Sequence, residues 1–288
     1  MLAQLFGYYL LDKNIISTEQ LNEALVNKNI YKARLGSLFT ESGYMTPEQV
    51  EYVHDEQKRF DRNIGDIAVF LGFLTRAQME ELLDRQNSGD TALAEALVNK
   101  GYITRAEYDN LLKAYKQELG LTSEIHDKNN LKRDIMAIYN LDGMENADIY
   151  ADYTALFVRN SIRFVGDDFA FAGFNPEKDT EQECMVIQDI SGAQNLRTAI
   201  CGSQKAFSSF ASRCAGKDLF DCTNRDVGDF LNLQNGLYAS NIFASTSSKL
   251  SLGNIDYVQG EFISTGNSKF IVPLSFTFGK IYIYISVM

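Results

Sequence analysis

The chain has 288 residues, a formal net charge of −11 at pH 7, four cysteines and two histidines. Its length fits two ordinary domains, each with room for a core. The acidity argues against a broad nucleic-acid-binding surface, which needs basic patches to displace counterions, and two histidines leave little scope for His-based catalysis.

Residues 1–11 are apolar but carry neither a basic leader nor a small-residue cleavage site. No signal peptide is therefore expected, and a cytoplasmic location is. No apolar run reaches the length of a membrane span, because the apolar C-terminus is broken by Lys280 and alternates as a strand does.

The first 115 residues repeat themselves. Arg34 to Gln57 superimposes without a gap on Asn63 to Gln86, and weaker copies run from Leu5 to Lys28 and from Ala92 to Tyr115. The copies begin at 5, 34, 63 and 92, a constant step of 29. In each, Ser17, Thr46, Thr75 or Thr104 stands three residues before Gln20, Gln49, Gln78 or Glu107, the spacing of a reciprocal capping box at a helix start. Pro47 fits the first helical position, where a missing N–H is tolerated. Upstream, Asn14, Gly43, Gly72 and Gly101 occupy the place where a short helix needs a left-handed residue to stop. Each unit therefore predicts a short helix, a tight turn and a longer helix. Such a unit is too small to bury its own apolar face, so the copies must stack.

The form "RLGxxLxxxGxxTxxQLxxxLxxQ" resembles the N-terminal domain of type II secretion and pilus ATPases, some members of which bind cyclic di-GMP. The middle copies match best, with Arg34, Leu35, Gly36 and Gln57 in one and Asn63, Ile64, Gly65 and Gln86 in the next. The resemblance implies that the leading Arg, Leu and Gly contact a guanine and that the closing Gln holds fold and site together. Asn63 stands where the second Arg belongs, with Arg62 one position away; the outer copies have Leu5 and Ala92 there. Cyclic di-GMP is one candidate ligand. Helical units that only pack and dock are the other reading.

The helical array is expected to span 1–118, followed by a linker and connecting helix over 119–146 and a second domain over 147–288. In that domain a helix (Ala147 to Phe164) precedes strand-like "DDFAFAGF", "CMVIQDI" and "LRTAICG". Helices are expected over Gln204 to Ala215 and Asn224 to about Ser245, then strands in "DYVQGEFIST", "KFIVPLSFTF" and "KIYIYISV". This order predicts an α+β domain with helices on one face of an antiparallel sheet. The last strand could lie inside that sheet or pair across a dimer axis. Tyr282 and Tyr284 on it read as residues packed on the sheet or at a subunit contact.

The informative stretch is "NRDVGDFLNLQNGLYASNIF". Asp229 and Asn232, three apart, project from adjacent turns of one helical face, and Asp226 is expected one turn earlier on it. A carboxylate and a carboxamide side by side do little covalent chemistry alone, but can complete the active site of a partner. The plainer alternative is a solvated helix face, with Gly236 permitting close packing.

The element order and the "DxxGDFLNxxNG" phrase resemble the CheX/CheC/FliY chemotaxis phosphatases over roughly residues 147 to 287. Asp229 takes the place of that family's Glu, and Asn232 that of its Asn. The Pro found about twenty residues after the family's Asn is absent here. The resemblance implies bacterial two-component signalling, with a phosphorylated CheY-like response regulator as partner. Asn232 would orient water for in-line attack on the aspartyl phosphate, and Asp229 would pair with the regulator's lysine. No cofactor of its own is implied, since Mg²⁺ belongs to the regulator. The family also suggests a homodimer through this domain. The competing reading is a non-catalytic adaptor.

Other chemistry is not written into the chain. It has no P-loop, no HExxH and no GxSxG elbow. Cys184, Cys201, Cys214 and Cys222 lack paired metal spacing and read as reduced, mostly buried thiols.

Overall fold

The computed structural model describes residues 2–31, 35–87, 92–118, 128–173, 182–219, 223–259 and 269–288. The chain forms two compact units, Thr18–Asp109, and Met1–Ser17 together with Asn110–Met288.

Eight helices occupy the repeat region among the described residues: α1 (Leu2–Asp12), α2 (Thr18–Tyr31), α3 (Leu35–Glu41), α4 (Pro47–Gln57), α5 (Ile64–Phe70), α6 (Arg76–Asn87), α7 (Ala92–Asn99) and α8 (Arg105–Glu118). Asn14, Gly43, Gly72 and Gly101 all have positive φ, between 54° and 76°. At each stop two amides turn back onto the helix just ended, as when Gly72 N–H donates to Val69 O and Phe73 N–H to Ala68 O. Thr46 with Gln49, Thr75 with Gln78 and Thr104 with Glu107 form the reciprocal capping bonds.

Within Thr18–Asp109 the second and third copies share one apolar cluster, with Phe39 and Val53 from one and Ile67 and Leu82 from the other. Their helices cross-pair, α3 with α6 and α4 with α5, and α2 meets α7. One contact recurs by position. Tyr44 Oη donates to Glu81 Oε2 at 2.9 Å, and Tyr102, at the same place in the fourth copy, donates to Glu23, at the same place in the first. The second copy therefore partners the third, and the long helix of the first partners the short helix of the fourth.

The other unit adds α9 (Lys128–Ile138), α10 (Ala147–Phe164), β1 (Phe169–Phe171), β2 (Cys184–Gly192), β3 (Leu196–Gly202), α11 (Gln204–Ala215), α12 (Asn224–Thr246), β4 (Leu250–Gln259), β5 (Lys269–Phe276) and β6 (Gly279–Val287). It is α+β. Six antiparallel strands run in the order β1-β5-β6-β3-β2-β4. The C-terminal strand is interior, bonded to β3 on one side and β5 on the other, so it offers no edge to a second copy. Tyr282 is buried and Tyr284 half-buried, both packed in a cluster on the sheet with Met185, Cys201 and Ile271. On the helix side, Phe210 meets Phe230 edge-on at 5.1 Å between centroids and Phe230 meets Phe157 at 5.6 Å, which fixes α10, α11 and α12 against one another. The short helix α1 also belongs to this unit. Gln4 Nε2 donates to Asp167 O just before β1, and the rings of Phe6 and Tyr9 pack on Tyr115 of α8.

Candidate functional site

Helix α12 is capped by Thr223, whose backbone N–H and hydroxyl both donate to Asp226 Oδ2. Lys217 Nζ lies 2.5 Å from Asp226 Oδ1. Burial alone would raise the pKa of Asp226, but Lys217 and the Thr223 amide outweigh it and hold the carboxyl below its ordinary value. Asp226 is therefore a buried helix-start residue and not part of the wet face expected for it. The reason is position: three residues beyond the cap, the carboxylate reaches back to the free amide.

One turn on, Asp229 and Asn232 are both exposed, while Val227, Phe230, Leu231 and Gln234 between and beyond them are buried. The pair thus stands on a solvent-facing strip of the first half of α12, whose buried residues run from Asp226 to Tyr238. Tyr257 of β4 lies alongside. A Cβ on Gly228 would fall 2.4 Å from its Oη, so the glycine lets the ring settle against the helix. Burial first and then the nearby Asp229 charge raise the pKa of the Tyr257 phenol. Gly236, expected to permit close packing, faces open space; Gly228 has that role.

Beneath Asn232 is a set of polar side chains that the sequence did not single out. Gln188 of β2, 2 % exposed, donates from Nε2 to Asn232 Oδ1 at 2.9 Å and to Gly253 O at 3.0 Å. Its Oε1 accepts from Asn235 Nδ2 at 2.9 Å. Asn235 Nδ2 also donates to Thr198 Oγ1, and Asn235 Oδ1 accepts from Tyr153 Oη at 2.6 Å. The one sequence signal was a glutamine inside the apolar run "CMVIQDI".

No protein-family model matches the chain, and no curated protein matches it. Among solved structures it is similar to a chemotaxis protein CheX from Desulfovibrio desulfuricans, at 12% identity and TM-score 0.37, over 47% of this chain and 96% of that one. It is also similar to a CheC-like superfamily protein from Shewanella sp. PV-4, at 13% identity and TM-score 0.40, over 50% of this chain and 99% of that one. A chain of the CheX-CheY-BeF3-Mg complex from Borrelia burgdorferi aligns at 14% identity and TM-score 0.37, over 47% of this chain and 94% of that one.

The residues singled out in the repeats have packing roles where they are described. Leu35 and Ile64 pack against the shared apolar cluster. A Cβ on Gly36 would stand 3.0 Å from Val50 Cγ1, and one on Gly65 would overlap the end of Met79, so both glycines let a short helix approach a long one. Buried Gln57 donates from Nε2 to Arg62 O at 2.9 Å, tying down the spacer. Exposed Arg62 has its guanidinium 5.9 Å from the Phe70 ring centroid, and Asn63 caps α5 without a side-chain bond. Arg34 and the side chain of Gln86 lie outside the described residues. Cys184 and Cys201 are buried free thiols, and half-buried Cys214 has its Sγ 3.4 Å from Ala211 O and 3.5 Å from Asp226 O; Cys222 lies outside the described residues. Among the described residues no group of three or more His, Cys, Asp or Glu could hold a metal ion, and no helix is long and apolar enough to cross a membrane.

Proposed function

We propose that the α+β unit dephosphorylates a phosphorylated receiver domain, with Asn232 orienting the attacking water and Asp229 anchoring the partner. The observation that carries this reading is the exposed carboxylate and carboxamide on adjacent turns of α12, the amide being fixed from below by a buried side chain. The protein supplies position and polarity. Water attacks phosphorus in line, the bond to the receiver's aspartyl oxygen breaks, and the products are a free carboxylate and inorganic phosphate, the water's protons passing to phosphate and solvent. Mg²⁺ on the receiver supplies neutralisation of the phosphoryl oxygens. Asp229 has a short side chain, so the partner's ammonium group must come close to α12.

The test is phosphate release from a phosphorylated receiver domain with Mg²⁺. Wild-type protein is expected to accelerate release, and Asn232→Ala to lose nearly all of the acceleration, a drop of about 10²-fold or more. Asp229→Ala is expected to raise KM more than it lowers kcat, since it removes an anchoring contact. Decay at the same rate with and without wild-type protein, across the receivers of its host, would leave a docking protein instead.

A further inference from the structure

We infer that Gln188 is the positioning residue of Asn232: through one hydrogen bond it selects which edge of the Asn232 amide faces a bound partner. This rests on the phosphatase reading for its consequence, but not for its geometry.

The amide of Gln188 has no freedom to rotate. Its two N–H bonds go to Asn232 Oδ1 and Gly253 O, and its oxygen accepts from Asn235. Flipping it would set oxygen against two acceptors and nitrogen against a donor, each an unsatisfied contact in a buried place. Asn235 is fixed in turn, because its nitrogen serves Gln188 and Thr198 and its oxygen accepts from the buried Tyr153 hydroxyl. Thr198 Oγ1 donates to Gln188 O at 2.8 Å, which aligns the hydroxyl as an acceptor for Asn235. The chain of amides therefore has one polarity, and it ends at the surface. A donor stands fixed beneath Asn232 Oδ1, so the Asn232 nitrogen must point away from Gln188.

Local backbone geometry supports the placement. The β2–β4 register shifts between Gln188 and Ile190, a bulge beside which Gly253 passes close to Asp189. A bulge re-aims side chains on the strand that carries it. Here the strand presents Gln188 to both Gly253 O and α12. An exposed asparagine without such a partner samples both amide orientations and several rotamers, so the productive placement becomes a small part of its population.

The experiment uses the full chain and two readouts. Gln188→Met keeps length and removes the amide, and Gln188→Glu keeps shape and removes the donor. In both, kcat for phosphate release from a phosphorylated receiver is expected to fall about ten- to hundred-fold while KM stays within about two-fold, the mark of lost positioning with the contact surface kept. By NMR, the side-chain NH₂ resonances of Asn232 are expected to move toward solvent-exposed asparagine values in Gln188→Met, and to move the other way in Gln188→Glu as the amide turns its nitrogen toward the carboxylate. Unchanged Asn232 resonances in the folded Met variant would overturn the inference, whatever the activity. Shifted resonances with wild-type kcat would overturn it too. If wild-type protein releases no phosphate while the resonances shift as expected, the phosphatase reading fails and the positioning stands.

Discussion

Asp134 of α9 is 2 % exposed, and its Oδ1, like the hydroxyl of buried Tyr115, has no hydrogen-bond partner among the described residues. The nearest cation is Arg133, 3.8 Å from Oδ1. Burial outweighs that attraction and pushes the carboxyl up to about 6. An unfolded Asp titrates near 3.9. The folded state thus binds the extra proton between those values, so the stability this group supplies is full below about pH 4 and is lost as pH rises through about 6. Asp134→Asn is expected to match the wild type near pH 4 and to exceed it at pH 7.5 by on the order of 1–3 kcal/mol, read from denaturant unfolding at the two pH values. A gap that does not depend on pH would mean the carboxyl is ionised throughout. Asp226 behaves in the opposite sense. Its lowered pKa makes its contribution present at neutral pH and lost as acid titrates it, so Asp226→Asn is expected to lower the midpoint at pH 7 more than at pH 3.

At the scale of elements, the repeat helices are governed by local rules. The stop at Gly72 has φ +76° and no atom within 4 Å of a Cβ built there, so replacing it tests backbone conformation without a packing change. Gly72→Ala is expected to cost about 1–2 kcal/mol. The loss should appear in thermal unfolding, and Gly72→Asn should recover part of it, because Asn already serves at the matching position, Asn14. Helix α12 follows other rules. It buries Gln234 and Asn235 completely, and both are paired, Gln234 with Asn160 and the backbone of Tyr153. An amphipathic reading alone would have placed such amides in water. They are held inside by partners from β2, β3 and α10, and that internal polarity is what fixes an outward amide at Asn232.

At the scale of the molecule, α1 belongs with the α+β unit although its sequence is that of a repeat. Phe6 is fully buried there and Phe39 is fully buried in the Thr18–Asp109 unit. Truncation of either is expected to cost about 3–5 kcal/mol. The consequences should separate by place. In amide hydrogen exchange, Phe6→Ala is expected to speed exchange in β1 and β5, and Phe39→Ala to speed it in α3 to α6 while leaving the sheet protected. Loss of protection in the sheet from Phe39→Ala would mean the two units unfold as one.

The sequence by itself determined what depends on residues within a turn of one another. The left-handed stops, the capping pairs of the repeats and the shared face of Asp229 and Asn232 each rest on bonds or projections three to five residues apart, which backbone geometry dictates wherever the segment sits. Only the tertiary structure decided which copies pair, that α1 leaves the repeats for the sheet, that the terminal strand is interior and that Asp226 is buried. It also decided that Gln188, 44 residues from Asn232 along the chain, stands directly under it. Such meetings depend on closing long loops and on which buried polar groups find partners when the core forms, and no short window of sequence carries that information.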